Sequence, residues 1–301
     1  MTLKVIDPVT VANANLVSHN LSDPNAEWAA GTTFASGAVV KVSADKRLYE
    51  SVIANNSGNI PSETIGTAWI DRGAMLPWRA FDGGPSSIVT RTGQIDVRFS
   101  LSALLRGVAL INVSASQARV TVYSGSDVTY DKTLNSADTS EIVDYVTLFT
   151  MPLEVVDLGI IDDIAAGPGN EVRVRVGQAG ETVSVGEIIF GDVREFGIAV
   201  SGLSSELTDY SVETIDPFGN ATIVERGYTF DRDYPVVIRN GDGGRMERAL
   251  ARLRARRGLY YVNAELANKW GVATYGRLTK LTRTADSNGY SDLNVTVEGR
   301  L

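Results

Sequence analysis

The chain has no cysteine and a single histidine, His19, in 301 residues. Without thiols there are no disulfides, no thiolate metal sites and no cysteine nucleophile, and a small disulfide-held secreted domain is a poor model. One imidazole leaves no His-x-x-x-His zinc motif and one possible base for a nucleophilic triad. His19 stands in a polar stretch with no partner nearby in sequence, which reads as solvent exposure. No apolar run approaches the ~18 residues of a membrane-spanning helix, so no membrane insertion is expected. The start, M-T-L-K-V-I-D-P, offers one lysine and then Asp7 and Pro8, unlike a secretory leader, so production in a cytoplasm is expected. Basic charge is in short supply: 28 Lys and Arg stand against 36 Asp and Glu, a formal charge of −8. Such a surface disfavours general binding to nucleic acid or anionic membranes.

Carboxylates remain for acid–base work. Asp162 and Asp163 are adjacent and point in different directions, a poor pair for glycoside hydrolysis. Asp82, in F-D-G-G, is a candidate for a structural calcium. Asn240-Gly241-Asp242-Gly243-Gly244 reads as a turn and lacks the lysine and the serine or threonine of a phosphate-binding loop. No catalytic residues, metal site or cofactor motif emerge, and the expectation is a protein that is not an enzyme.

What is present is β-pattern. Residues 1–22 read as an extended arm. Residues 23–76 hold short strand candidates at Val39-Val40, Leu48-Tyr49 and Ser51-Val52-Ile53, separated by Gly, Ser, Asn and Asp turns. Three of the four tryptophans, Trp28, Trp69 and Trp78, fall between residues 28 and 82 among glycines, a composition suited to a small all-β module. Residues 77–196 alternate most clearly. In Glu171-Val172-Arg173-Val174-Arg175-Val176 the valines share one face and the charges the other. Ile95–Phe99 and Arg119–Tyr123 do the same, and Ala109–Ile111 and Ile188–Phe190 read as deeper strands. Many short strands at roughly ten-residue spacing predict a β-sandwich, in the form of a jelly roll.

Residues 197–301 change character. Strand-like pieces at Thr222–Val224 and Pro235–Ile238 precede a helix predicted from about Gly244 to Arg257, with Met246, Ala249, Leu250 and Leu253 on one face and Gly258 as its stop. Strands then resume at Leu259–Val262, Gly276–Thr279 and Asn294–Val297. The fold class predicted is mainly β and multidomain, ending in an α+β domain with one helix. Between Arg245 and Arg257 there are six arginines and one glutamate. A nucleic-acid contact, a solvated face and an inter-subunit surface that pairs with acid groups are the readings available. For the last, Arg245, Arg248, Arg252 and Arg256 are the candidate residues.

Trp28, Phe34, Gly37, Val39-Val40, Tyr49-Glu50-Ser51, Gly58, Pro61 and Trp69 together resemble the small chitin-binding modules of the family 5/12 type. The resemblance implies that aromatic faces stack on sugar rings, with Trp28, Tyr49 and Trp69 as the candidate carbohydrate-binding residues. The other reading makes these three the miniature core of the module, and Ile70 after Trp69, with no second exposed aromatic beside it, favours that reading. The order of this module, then Trp78-Arg79-Ala80-Phe81-Asp82, then a sandwich with a late V-G-E-I-I-F-G, then D-Y-S-V-E-T-I-D-P-F-G-N-A-T-I-V-E-R-G-Y, resembles tail proteins of bacteriophages and prophages. In that family Trp78–Asp82 would open a galactose-binding-like jelly roll over 77–196. Asp209–Tyr228 would open a domain similar to tail-tube or distal-tail folds over 197–301. The resemblance implies a structural virion component of a tail tip or baseplate. Such a protein assembles in the bacterial host cytoplasm as a ring homo-oligomer among other tail proteins, touches bacterial surface glycans and reads no specific nucleic-acid sequence. A free, lectin-like carbohydrate-binding protein is the principal rival, and a glycan-degrading enzyme the next.

Overall fold

The computed structural model describes residues 1–138, 144, 154–215, 218–270, 272–285 and 289–300. The fold is mainly β, in several sheets, with one long helix. Asp216 and Pro217 of the Asp209–Tyr228 motif lie outside the described residues. Among the described residues no helix is long and apolar enough to cross a membrane.

Three bodies follow one another. In the small module, strands Ala26–Glu27, Val39–Val42, Arg47–Ser51 and Trp69–Ala74 form one four-stranded sheet. The sandwich sets a five-stranded sheet (Asp127–Asn135, Gln117–Ser124, Glu171–Val176, Ile95–Ser100, Leu16–His19) against Leu158–Ile161, Gly107–Ile111 and the start of Glu187–Ala199. The period-2 pattern of Glu171–Val176 does what it predicts. Val172, Val174 and Val176 are fully buried between the sheets, facing a core that includes Val97, Phe99, Val120, Val122 and Ile188. Trp78-Arg79-Ala80-Phe81 lies in a short 3₁₀ helix, Leu76–Phe81, that plugs this core. Phe81 meets Phe99 edge-on at 4.8 Å and stacks on Phe190 at 5.9 Å.

The third body is a barrel. Glu187–Ala199 pairs with Thr2–Pro8, which pairs with Arg257–Tyr261, then Ala273–Ala285, Tyr290–Gly299 and Tyr228–Arg239. The ring closes where Ile198 and Ala199 pair with Val237 and Val236. All six neighbours are antiparallel. Leu3, Val5, Phe196, Tyr234, Val236, Tyr260, Leu293, Val295 and Val297 share its core with Leu250 and Leu253 of the helix.

Two glycines of the 13-residue strand Glu187–Ala199 make this layout possible. Gly191 pairs with Gly107 on one side and Pro8 on the other, the point at which the strand leaves the sandwich for the barrel. A Cβ there would stand 2.4 Å from the Asp7 carbonyl oxygen, closer than two backbones carrying side chains can approach. Gly197 has φ +62, and a Cβ would stand 2.5 Å from both Ile238 and Val236. It turns the strand end onto Tyr228–Arg239 and so closes the barrel.

Three sequence expectations are corrected. Residues 1–22 are not a free arm: Thr2–Pro8 is an interior strand of the nine-stranded sheet and Leu16–His19 an edge strand of the sandwich. Leu3 and Val5 point to one core and Ile6 to another, all three fully buried, so the segment needs partners on both faces. A boundary at 196/197 falls inside Glu187–Ala199, which serves both bodies. The helix runs Asn240–Leu253, not Gly244–Arg257. It starts early because the Asn240 N–H donates to the Gly289 carbonyl at 2.9 Å and Gly243 sits under the Arg283 guanidinium, where a Cβ would lie 2.3 Å away. It ends early because Arg257–Tyr261 is taken up as a barrel strand, with Gly258 paired to Gly276 rather than stopping a helix.

Leu3→Ala is expected to cost about 2–5 kcal/mol in urea unfolding. Lys4→Ala, on the opposite face with ion pairs to Asp162 at 2.8 Å and Glu195 at 3.8 Å, should cost about 1 kcal/mol or less. A Leu3→Ala cost as small as that of Lys4→Ala would show that this strand is not part of the core.

Candidate functional site

The aromatic residues of the small module do not form a platform. Trp69 is fully buried at 0 % exposure and Tyr49 at 2 %, packed with Val40 and Ala68. The indole N–H of Trp69 donates to the Asn59 carbonyl at 3.0 Å, and Phe34 meets its ring edge-on at 5.5 Å. Both faces of Trp69 are thus spent on the core, and neither it nor Tyr49 can stack on a sugar. That corrects two of the three candidate carbohydrate-binding residues. Trp28 alone is half-exposed, resting on the edge of the same cluster. Nearby, Asn56 is fully buried and donates to Ser51 Oγ and the Ala68 carbonyl, both at 3.0 Å, tying the loop before Trp69 to the sheet.

His19 is exposed on the sandwich edge strand. Asp162 accepts from Lys4 Nζ at 2.8 Å and from the Tyr261 hydroxyl at 3.1 Å, whereas Asp163 accepts from Tyr130 and Lys132. The two adjacent carboxylates are engaged by different elements and do not face a common space. Asp82 accepts from its own loop, Gly84 N–H, at 2.8 Å. Among the described residues no group of three or more His, Asp or Glu is placed to hold a metal ion.

One buried acid escaped sequence reasoning. Glu187, 4 % exposed, sits where the loop after helix Leu76–Phe81 meets the shared strand. Gly83 N–H donates to it at 3.0 Å, while Arg257 of the barrel donates to the Gly83 carbonyl and the Tyr275 hydroxyl lies close to Gly83. This contact joins the start of the shared strand to the loop after helix Leu76–Phe81, and that loop in turn to the barrel strand Arg257–Tyr261. Burial, with Asp82 adding like charge, pushes its carboxyl up to about 8, against the pull of the Gly83 and Gly84 N–H groups and Arg257. The only sequence signal was a glutamate at the head of an apolar strand. In the unfolded chain this acid titrates near 4.5. The folded state therefore holds an extra proton between those two values, and stability falls as pH rises through that window.

An exposed apolar feature lies elsewhere. Strands Ser204–Asp209 and Tyr228–Arg239 run out of the barrel sheet, and beyond them Val212–Ile215 pairs with Ala221–Val224 as a two-stranded projection. Ile215 (68 % exposed), Ile223 (69 %) and Phe218 (91 %) stand out from the body, with Leu207, Tyr210, Val224, Tyr228 and Phe230 also exposed. The sequence pattern predicts a strand at Thr222–Val224, and the structure places Ala221–Val224 against Val212–Ile215. What the pattern does not announce is that neither face has a core to cover it. Arg245, Arg248, Arg252, Arg254 and Arg256 are all exposed. Arg245 forms an i,i+3 pair with Asp242 at 3.2 Å, and among the described residues Arg248, Arg252 and Arg256 make no ion pair.

No family model matches the chain, and no curated protein matches it. Among solved structures the chain is similar to a selenomethionine-labelled mutant of chitosan-binding module 1, derived from a chitosanase/glucanase of Paenibacillus sp. IK-5. The identity is 16 % over 38 % of this chain and 82 % of that chain, with a TM-score of 0.26. That likeness is too slight to bear on function.

Trp69→Ala is expected to destabilise the small module by about 3–5 kcal/mol, and Trp28→Ala by about 1 kcal/mol or less, read by denaturant unfolding. Loss of sugar binding in Trp69→Ala alone would report unfolding. Loss in a well-folded Trp28→Ala would report a contact. Comparable stability for the two variants would contradict the burial described above.

Glu187→Gln should be more stable than the parent at pH 8, by an amount on the order of a few kcal/mol, with the advantage shrinking towards pH 5. Urea unfolding at the two pH values checks it, and an advantage that does not change with pH would exclude a protonated Glu187.

Proposed function

We propose that this chain is a non-enzymatic building block of a bacteriophage-like tail tip or baseplate. In this reading the barrels associate in a ring of identical copies, and the sandwich and small module project outward, where they meet other tail proteins and the surface glycans of a bacterial host. The observation that carries it is the projecting hairpin. A water-soluble monomer does not leave Ile215, Phe218 and Ile223 exposed on one extension unless another surface covers them. The remaining architecture supports the reading. Every body is a rigid β scaffold, and the carboxylates a hydrolase would use are bound into local structure. Assembly in a host cytoplasm also agrees with a chain that needs no disulfide.

Glycan contact in this reading passes through Trp28 or the outer loops, not through Trp69 and Tyr49. Electron microscopy of the purified full chain tests the reading. Closed rings of constant copy number are expected as concentration rises. A chain that stays monomeric at all concentrations and binds chitin-type oligosaccharides tightly would replace this reading with that of a free carbohydrate-binding protein.

A further inference from the structure

We propose that the projecting hairpin of one copy docks on the arginine face of helix Asn240–Leu253 of the next. The proposal rests on the self-assembly reading above and names the two surfaces that mate.

The first argument is charge. Between Ser204 and Tyr228 the sequence has five acids (Glu206, Asp209, Glu213, Asp216, Glu225) and one base, Arg226, a net of −4. From Arg245 to Arg256, in the helix and the turn that follows it, it has five arginines and Glu247, a net of +4. In a chain that is −8 overall, this is a concentrated basic surface, and its charge is opposite to that of the hairpin. Glu206, Glu213 and Glu225 are exposed and, among the described residues, make no ion pair; the same holds for Arg248 and Arg252. Arg248 and Arg252 stand one helical turn apart, on the side away from Leu250 and Leu253, which are buried.

The second argument is distance. The hairpin leaves the barrel at Tyr228 and the helix begins at Asn240, so the twelve-residue strand Tyr228–Arg239 lies between them. At ~3.3 Å per residue that is roughly 40 Å. The hairpin and the helix join opposite ends of this strand, so the proposal places their contact between copies and not within one. Two complementary surfaces at far ends of one body are the arrangement of a head-to-tail contact, which repeats until the rotation closes a ring.

The third is the apolar share of the hairpin. An apolar recess of 350 Å³, bordered by Val200, Leu203, Pro235 and Val262, opens on the barrel. Leu203 and Val262 pack against the same core that Leu250 and Leu253 of the helix enter. A neighbour's hairpin seated on the arginines thus has an apolar surface on the same body to meet Ile215 and Ile223. Arginine is the fitting cation here, since its planar fork pairs with carboxylates two bonds at a time and tolerates burial better than an ammonium.

Charge exchange tests this on the full chain. The mass of the assembly is read by light scattering after size exclusion, with circular dichroism and thermal melts as the check on folding. The parent should assemble, and more weakly at about 500 mM salt than at about 50 mM. Arg248→Glu with Arg252→Glu, and separately Glu213→Arg with Glu225→Arg, should each weaken assembly at least about tenfold. Mixed one to one, the two variants should recover joint assemblies containing both. Unimpaired assembly by the folded arginine variant would overturn the proposal. If Ile215→Ser with Ile223→Ser abolished assembly in that case, self-association through the hairpin would survive and only its docking site would be wrong. A parent that never assembles would sink the proposal and the reading beneath it together.

Discussion

The register of one strand governs this molecule. Glu187–Ala199 is bonded along its first residues to Gly107–Ile111 and along its last to Thr2–Pro8 and Tyr228–Arg239. Sandwich and barrel are therefore not beads on a linker but two closures of one continuous sheet. The constraint is steric and it is met at Gly191. Backbone from the sandwich strand and from the N-terminal strand approach this residue from both sides, and a side chain would block the approach of Asp7. On either side of that point the side chains of one strand enter different cores: Ile188 and Phe190 the sandwich, Ile189 and Val193 the layer between bodies, Phe196 the barrel. A one-residue slip would turn each of these to the wrong face. The three cores therefore hold a common register, and the barrel cannot shift relative to the sandwich without breaking both.

The charges are arranged around that frame rather than within it. Along the seam, Arg194 pairs with Asp7 at 3.2 Å, and Lys4 with Asp162 at 2.8 Å, linking the N-terminal strand to its neighbours at partly exposed positions where each pair contributes little by itself. Glu187 differs from these pairs. It is buried, and it is held neutral at moderate pH by lack of solvent and by Asp82. Its hydrogen bond from Gly83, whose carbonyl accepts from Arg257, fixes the loop after helix Leu76–Phe81 against the barrel. A buried acid of this kind is costly whenever it ionises, so the joint it makes is strongest in mild acid and loosens as the medium turns alkaline.

Local pattern was enough for the sandwich and not for the barrel. Glu171–Val176 declares its two faces by strict alternation, and the strands of the sandwich follow suit. Leu3, Val5 and Ile6 carry an equally plain pattern, but their partners lie near residues 191–198 and 259–261, and nothing in seven residues tells a strand that pairs at such range from a loose arm. The helix was displaced by four residues for a similar reason. Glycines at 241, 243 and 244 argue against helix locally, yet Gly243 is needed under Arg283 and Asn240 is held by Gly289. The tryptophan residues were found, but composition does not say which face of an indole is free. Trp69 is enclosed because Phe34 and the Asn59 carbonyl reach it from the loops of the module, contacts that appear only once the loops are folded.

The two edges of the nine-stranded sheet are treated differently. At one edge, Leu158–Ile161, the short helix Ala264–Trp270 lies across the strand. The Asn268 side chain there accepts from the Ile160 N–H at 2.6 Å and donates to the Ile160 carbonyl at 2.9 Å, a side chain imitating the next strand. That is how a protein prevents its sheet from being extended. At the other edge, Ser204–Asp209 is exposed along its length, bears Leu207 outward and leads directly into the projecting hairpin. A chain under pressure only to stay soluble would guard both edges. One edge is thus closed by a dedicated amide, while the other, short and acidic with Leu207 exposed, stays open and is the edge that the proposed self-assembly would use.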